Sequence, residues 1–186
     1  MEFHKKQNMK NLKDYIVEGW KPVKHVQPKT KDELEELIKD TIELQGNKAN
    51  LNFIDTSKIT DMSFLFAKSD FNGDIHKWDV SNVENMEAMF VGSDFNGDIS
   101  EWDVSNVKSM ASMFMSSKFN GDISNWDVSN VTDMRGTFYK SNFNQDISDW
   151  QVSDNAIVVY MLSKCKLKKV HYPLVLLSRL EHDDVV

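Results

Sequence analysis

The phrase FNGDIHKWDVSNV begins at Phe71, recurs with small changes at Phe95 and Phe119, and loosens to FNQDISDWQVSDN at Phe143. Phe71, Phe95, Phe119 and Phe143 stand 24 residues apart, and so do Trp78, Trp102, Trp126 and Trp150. Self-similarity at a fixed period of about 20–50 residues marks an array of stacked units. A unit this short cannot bury its own apolar side. Stacked in register, its Phe, Ile, Trp, Val and Met slots line up into one continuous core.

One unit, residues 79–102, reads DVSNVENMEAMFVGSDFNGDISEW. Val83, Met86, Met89 and Phe90 share one helical face, which predicts one or two helical turns, α or 3₁₀. Ser81 offers an N-cap, and Glu84 completes a capping box that Lys108 and Thr132 do not repeat. Ile99 and Trp102 read as inward residues of a brief strand with a turn before it. Asn96-Gly97 predicts a backbone position with φ > 0, although Gln145 fills the Gly slot in the last full unit. Each unit is therefore expected to be a short helix, a turn and a short strand. Shifted back by one period, Asp55, Ser57, Ile59, Met62, Phe66 and Ser69 fill their slots. Shifted forward, Val158, Met161, Leu162, Cys165 and Leu167 do the same. This makes about five coils over residues 50–167, with Cys165 a packed small residue in the slot of Ser93, Ser117 and Ser141.

The flanks read as caps. Thr30 and Glu33 form a capping box before LEELIKDTIEL, and Gly46 supplies a stop, so residues 30–46 form a helix covering the first coil. Leu34, Leu37, Ile38 and Ile42 make its apolar face. Residues 168–186, with YPLVLLSRL, form a C-terminal cap, making 30–186 a single repeat domain. Residues 1–29 are a basic segment with a short amphipathic patch at Leu12, Tyr15 and Ile16, and Trp20 shortly after. Residues 1–31 carry eight Lys and three acidic residues, a balance of +5, which leaves −12 of the net −7 to the body. An acidic body argues against nucleic acid as a partner. No apolar run approaches the ~18–20 residues of a membrane-spanning helix, so no membrane insertion is expected. The start, MEFHKKQNMKNLKDY, has no apolar stretch with a cleavage site, so the compartment stays open between a cytosolic chain and one whose signal was removed. Cys165 is the single cysteine, which leaves no intrachain disulfide and no thiolate metal cluster.

Chemistry is sparse. His4, His25, His76, His171 and His182 share no metal-ligand spacing, and no nucleophile elbow, phosphate loop or zinc motif occurs. No catalytic, cofactor-binding or metal residue is expected. The repeated acids raise a sharper question, because Asp74, Asp98, Asp122 and Asp146 form one ladder and Asp55, Asp79, Asp103 and Asp127 another. At about 4.7–4.9 Å, paired carboxylates repel by roughly 1 kcal/mol even in water. The expected remedy is hydrogen bonding to turn amides, with calcium the alternative. The slots free to vary between coils are His76-Lys77, Ser100-Glu101, Ser124-Asn125 and Ser148-Asp149, which mark the candidate binding face.

The pattern F-N-x-D-I-S-x-W-D-V-S-N-V followed by M-x-x-M-F resembles the repeats of the BspA-like leucine-rich-repeat family of bacterial surface proteins, over about residues 50–165. The resemblance implies an α/β leucine-rich-repeat-like solenoid with a narrow parallel sheet. It also implies a cell-surface, adhesion-type protein that binds other molecules, and it supplies no catalytic residues. The function expected is a non-catalytic, monomeric scaffold for an unidentified protein or glycan. The alternative is an intracellular interaction protein that docks through its basic N-terminal segment.

Overall fold

A computed structural model of the chain describes residues 26–180. Helix α1 spans Lys31–Gln45. A 3₁₀ turn at Lys169–His171 precedes helix α2, Leu174–Leu180. At the start of α1, Thr30 accepts the Glu33 N–H at 3.2 Å, while the Glu33 carboxylate reaches back to the Lys29 N–H at 2.7 Å. Gly46, at φ 79°, ends the helix, its N–H bonded to the Ile42 carbonyl. Leu34 and Ile38 join the core from the buried face. The amphipathic patch at Leu12, Tyr15 and Ile16, with Trp20, lies outside the described residues, as does the C-terminal stretch 181–186.

Between the helices, the repeats stack as layers of turns. Met62, Phe64, Phe66 and Lys68 donate N–H bonds of 2.7–3.0 Å to the carbonyls of Asn85, Glu87, Met89 and Val91 in the next coil. The pattern repeats from Met86, Ala88, Phe90 and Gly92, again from Met110 to Ser116, and again from Met134 to Lys140. Only alternate peptides take part. The intervening ones close tight turns within the coil, such as Met89 N–H to Met86 carbonyl at 3.2 Å and Val91 to Ala88 at 3.1 Å.

This arrangement overturns the expected α/β solenoid with its narrow parallel sheet. Among the described residues no strand forms, and parallel pairing is confined to isolated bridges, chiefly the series Asp61, Asn85, Ser109, Asp133 and Ile157. The cause is the backbone. Phe64, Ala88, Ser112, Gly136 and Tyr160 sit at φ 52–62°, and Lys68, Gly92, Ser116, Lys140 and Lys164 at 55–63°. A left-handed residue recurring in this way breaks the extended alternation of a strand and the uniform φ of a helix alike. The expected helix over Val83–Phe90 is therefore a run of turns. The expected strand at Ile99–Trp102 is also a turn, closed by the Trp102 N–H on the Ile99 carbonyl at 3.2 Å. Ser81 caps no helix, for its hydroxyl donates to Asp79 at 2.6 Å.

The Asn-Gly reading changes as well. Neither Asn96 nor Gly97 has positive φ. Gly97 is small because a Cβ there would stand 2.8 Å from the Phe95 ring and 3.2 Å from the Gly73 carbonyl.

Aromatic columns run through the stack. Phe66, Phe90, Phe114 and Phe138 are spaced 5.5–5.6 Å apart, ring on ring. Phe71, Phe95, Phe119 and Phe143 form a second column at 6.2–6.3 Å, touching the first at 4.3–4.7 Å. Beside them Trp78, Trp102, Trp126 and Trp150 are buried, each indole N–H donating to a carbonyl one coil back. At the far end, the C-terminal segment packs on one side of the last coil. The Ile147 N–H bonds to the His171 carbonyl, and the Arg179 guanidinium donates to the Ser153 and Ala156 carbonyls. Tyr172 and Leu176 are buried there, whereas Ile157, Val159 and Tyr160 on the other side remain 40–55 % exposed.

Candidate functional site

The repeated acids are consumed by local architecture. In the first ladder, Asp74, Asp98, Asp122 and Asp146 each accept the N–H two residues on, at 2.9–3.2 Å. In the second, Asp55, Asp79, Asp103 and Asp127 do the same at 3.0–3.1 Å. These are Asx turns, in which a short side chain stands in for a backbone acceptor. Backbone and hydroxyl donation from Ser100, Ser124 and Ser148 holds Asp98, Asp122 and Asp146 below the usual carboxylate range. The Ser105 and Ser129 side chains and amides do the same for Asp103 and Asp127. Neighbouring acids push the other way, Asp127 on Asp103 and Asp98 on Asp122, but the hydrogen bonds win. Among the described residues no cluster of three or more His, Cys, Asp or Glu could hold a metal ion.

A third ladder escaped the sequence reading. Asp61, Asn85, Ser109 and Asp133 each accept the N–H two residues on, immediately before the Met62, Met86, Met110 and Met134 slots. The signal was present as a short polar residue before every such Met, but Asn and Ser hide it from a search for acids. Two asparagine columns were missed for the same reason. Asn72, Asn96 and Asn120 each accept the N–H of the Asn one coil on. Asn82, Asn106 and Asn130 each donate to a serine carbonyl one coil back.

The eight candidate residues divide into two kinds. Ser100, Ser124 and Ser148 are half-buried, their N–H groups donating to the Asx-turn carboxylates. His76 occupies the same slot but is exposed, its Nδ1 2.6 Å from Asp74. Lys77, Glu101, Asn125 and Asp149 are exposed, one per coil, each next to a buried Trp that fixes the backbone carrying it. The column reads Lys, Glu, Asn and Asp in turn, so its charge is set coil by coil. The Cys165 thiol donates to the Leu162 carbonyl at 2.9 Å and is half-buried, whereas Ser93, Ser117 and Ser141 in its slot are buried. An open groove of about 480 Å³ lies between α1 and the first coil, lined by Ile38, Ile42, Leu65 and Phe66 with Glu35 and Lys39 at its rim. No helix of the described residues is long and apolar enough to cross a membrane.

Searches of curated proteins and of solved structures each return no match. A family model does match, over residues 32–140 and 115–169, which is most of the repeat stack and α1. By that match the chain belongs to the family described as Mycoplasma protein of unknown function, DUF285.

Proposed function

We propose that the chain is a non-catalytic repeat scaffold that binds a protein or glycan partner through the exposed column Lys77, Glu101, Asn125 and Asp149. The observation that carries this reading is a contrast within each coil. The Trp, Phe, Asp and Ser slots around the column are taken up by core packing and turn bonding, while the column itself is solvent-facing and changes identity from Lys to Glu to Asn to Asp. Repeat arrays bind by such surfaces, which vary without disturbing the stack. The bacterial repeat family and the likeness of the repeat phrase to BspA-like surface proteins support an adhesin-type role.

The test is binding of labelled protein to immobilised glycans, extracellular proteins and bacterial cells. It compares the parent with a variant carrying Ala at all four column positions and with a chain lacking residues 1–25. Loss of binding in the four-site variant alone, with an unchanged melting temperature, is the expected result. Loss only in the truncated chain would move the function to the basic N-terminal segment, and equal binding by all three would discard the column.

A further inference from the structure

One run of the inter-coil bonding has a single direction, and this leaves its last rung open. Along the run from the Met62 slot to the Lys68 slot, carbonyls face the preceding coil and N–H groups the following one at every junction, while elsewhere in the coil bonds such as Glu84 N–H to the Thr60 carbonyl run back. The carbonyls of Ile157, Val159, Met161 and Ser163 accept from the coil before them. Because a trans peptide points its N–H opposite to its C=O, the N–H groups of Val158, Tyr160, Leu162 and Lys164 point away from the stack. Among the described residues these four make no hydrogen bond. The described part of the C-terminal cap makes its bonds elsewhere, to Ile147, Ser153 and Ala156. An uncovered row of backbone donors is a template for another chain.

Two further features specify the chain it fits. Lys164, Lys166, Lys168 and Lys169 fall within six residues at this end of an otherwise acidic body, and all four are exposed. Tyr160 is 55 % exposed, with Tyr139 at 6.2 Å and Lys140 over the Tyr139 ring at 5.0 Å. Exposed aromatic anchors beside basic groups are the composition of protein-binding hot spots. Two-fold pairing of this end with itself would oppose N–H to N–H and lysine to lysine, so a second copy does not fit that way. The N-terminal end of a second copy would offer carbonyls, but Lys31 of α1 already lies across that end, 2.7 Å from the Ser63 hydroxyl.

We propose that the open edge at residues 157–164 binds an acidic peptide segment, which lies alongside it as one more layer. Alternate carbonyls of the peptide accept from Val158, Tyr160, Leu162 and Lys164, and its carboxylates meet the lysines. The mode is strand-addition recognition carried out by a turn ladder. It uses a surface separate from the Lys77–Asp149 column and does not depend on it.

Amide hydrogen exchange of the full chain tests this with two probes, acetyl-(Glu-Val)₄-amide and its Lys-Val counterpart. In the free protein, the amides of Val158, Tyr160 and Lys164 should exchange fast, while the equivalent Met134, Gly136 and Lys140 amides are protected. The Glu-Val peptide should slow the first set about tenfold or more, and the Lys-Val peptide should not. The pair Lys164→Glu and Lys166→Glu should weaken the Glu-Val peptide by about tenfold or more with an unchanged melting temperature. Protection that rises with protein concentration and no peptide would name a second copy as the occupant and overturn the proposal. Protection lost on truncation after Leu180 would name the chain's own tail, and equal protection by acetate would reduce the edge to an anion site. No protection under any condition would refute it outright.

Discussion

Phe114→Ala is the most informative single perturbation of the stack. Phe114 is fully buried and has four aromatic neighbours: Phe90 and Phe138 at 5.6 Å, Phe119 at 4.3 Å and Trp126 at 6.4 Å. A buried phenylalanine removes about 150 Å² or more from water, worth roughly 4 kcal/mol at about 25 cal/mol per Å². The coils on either side are pinned by main-chain bonds and cannot close the gap, so a cavity cost adds to the transfer cost. The expected loss is about 3–5 kcal/mol, the range of aromatic truncations in cores. Urea unfolding followed by tryptophan fluorescence measures it, with exposed Phe64→Ala as the control within about 0.5 kcal/mol of the parent. A double-mutant cycle then reads the architecture. Phe114→Ala should couple to Phe138→Ala, one coil away, by about 0.5 kcal/mol or more, and be additive with Phe66→Ala, two coils away. A loss under about 1 kcal/mol, or equal coupling at one and two coils, would refute the stacked-column account.

Acid should weaken the fold in a defined direction: Asp98, Asp103, Asp122 and Asp127 have lowered folded pKa values, so their contribution is present above the unfolded value of about 3.9 and lost as pH falls below it. Melting curves between neutral pH and pH 3 check this, and Asp103→Asn, which keeps the acceptor oxygen, should flatten the acid limb; an unchanged limb speaks against the Asx turns as its source. Ser117→Ala should leave stability unchanged or raise it by up to about 1 kcal/mol, because the buried Ser117 hydroxyl has no partner among the described residues; a loss above that size in urea melts counts against it. Deleting the whole coil 103–126 should leave a shorter folded protein, whereas deleting half of it should not, as amide exchange and sedimentation would show.

Periodicity made the stacking and its core readable from the residues, because burial demands apolar identity at Phe90, Phe114, Ile123 and Trp126 in every coil. The Asx turns at Asp98 and Asp103 were readable for a similar reason, since a short acceptor side chain is what such a turn needs. Backbone conformation was not. Gly92 and Gly136 advertise positive φ, but the equivalent Phe64, Lys68, Ala88, Ser112 and Ser116 do not, and their strain is borne by the inter-coil bonds. Helix and strand were therefore expected where neither forms. The candidate column was visible as variation between coils, while the open end row was not, because which donors lack partners depends on where the stack stops.

The two-way pairing between coils has an electrical consequence. In a β-sheet neighbouring peptide dipoles largely cancel. Here four bonds run forward at the Met86–Gly92 junction, but those from Lys108 and Ser109 to Glu84 and from Lys118 to Ser93 run back, so the moments largely oppose one another. An α-helix ends positive at its N-terminus. This stack has no such backbone pole; its unlike ends are made by side chains, Lys164, Lys166, Lys168 and Lys169 at the C-terminal face and the acid-rich α1 at the other. The molecule is thus a bar whose charged ends belong to its caps, so an added coil would lengthen the distance between them without enlarging either.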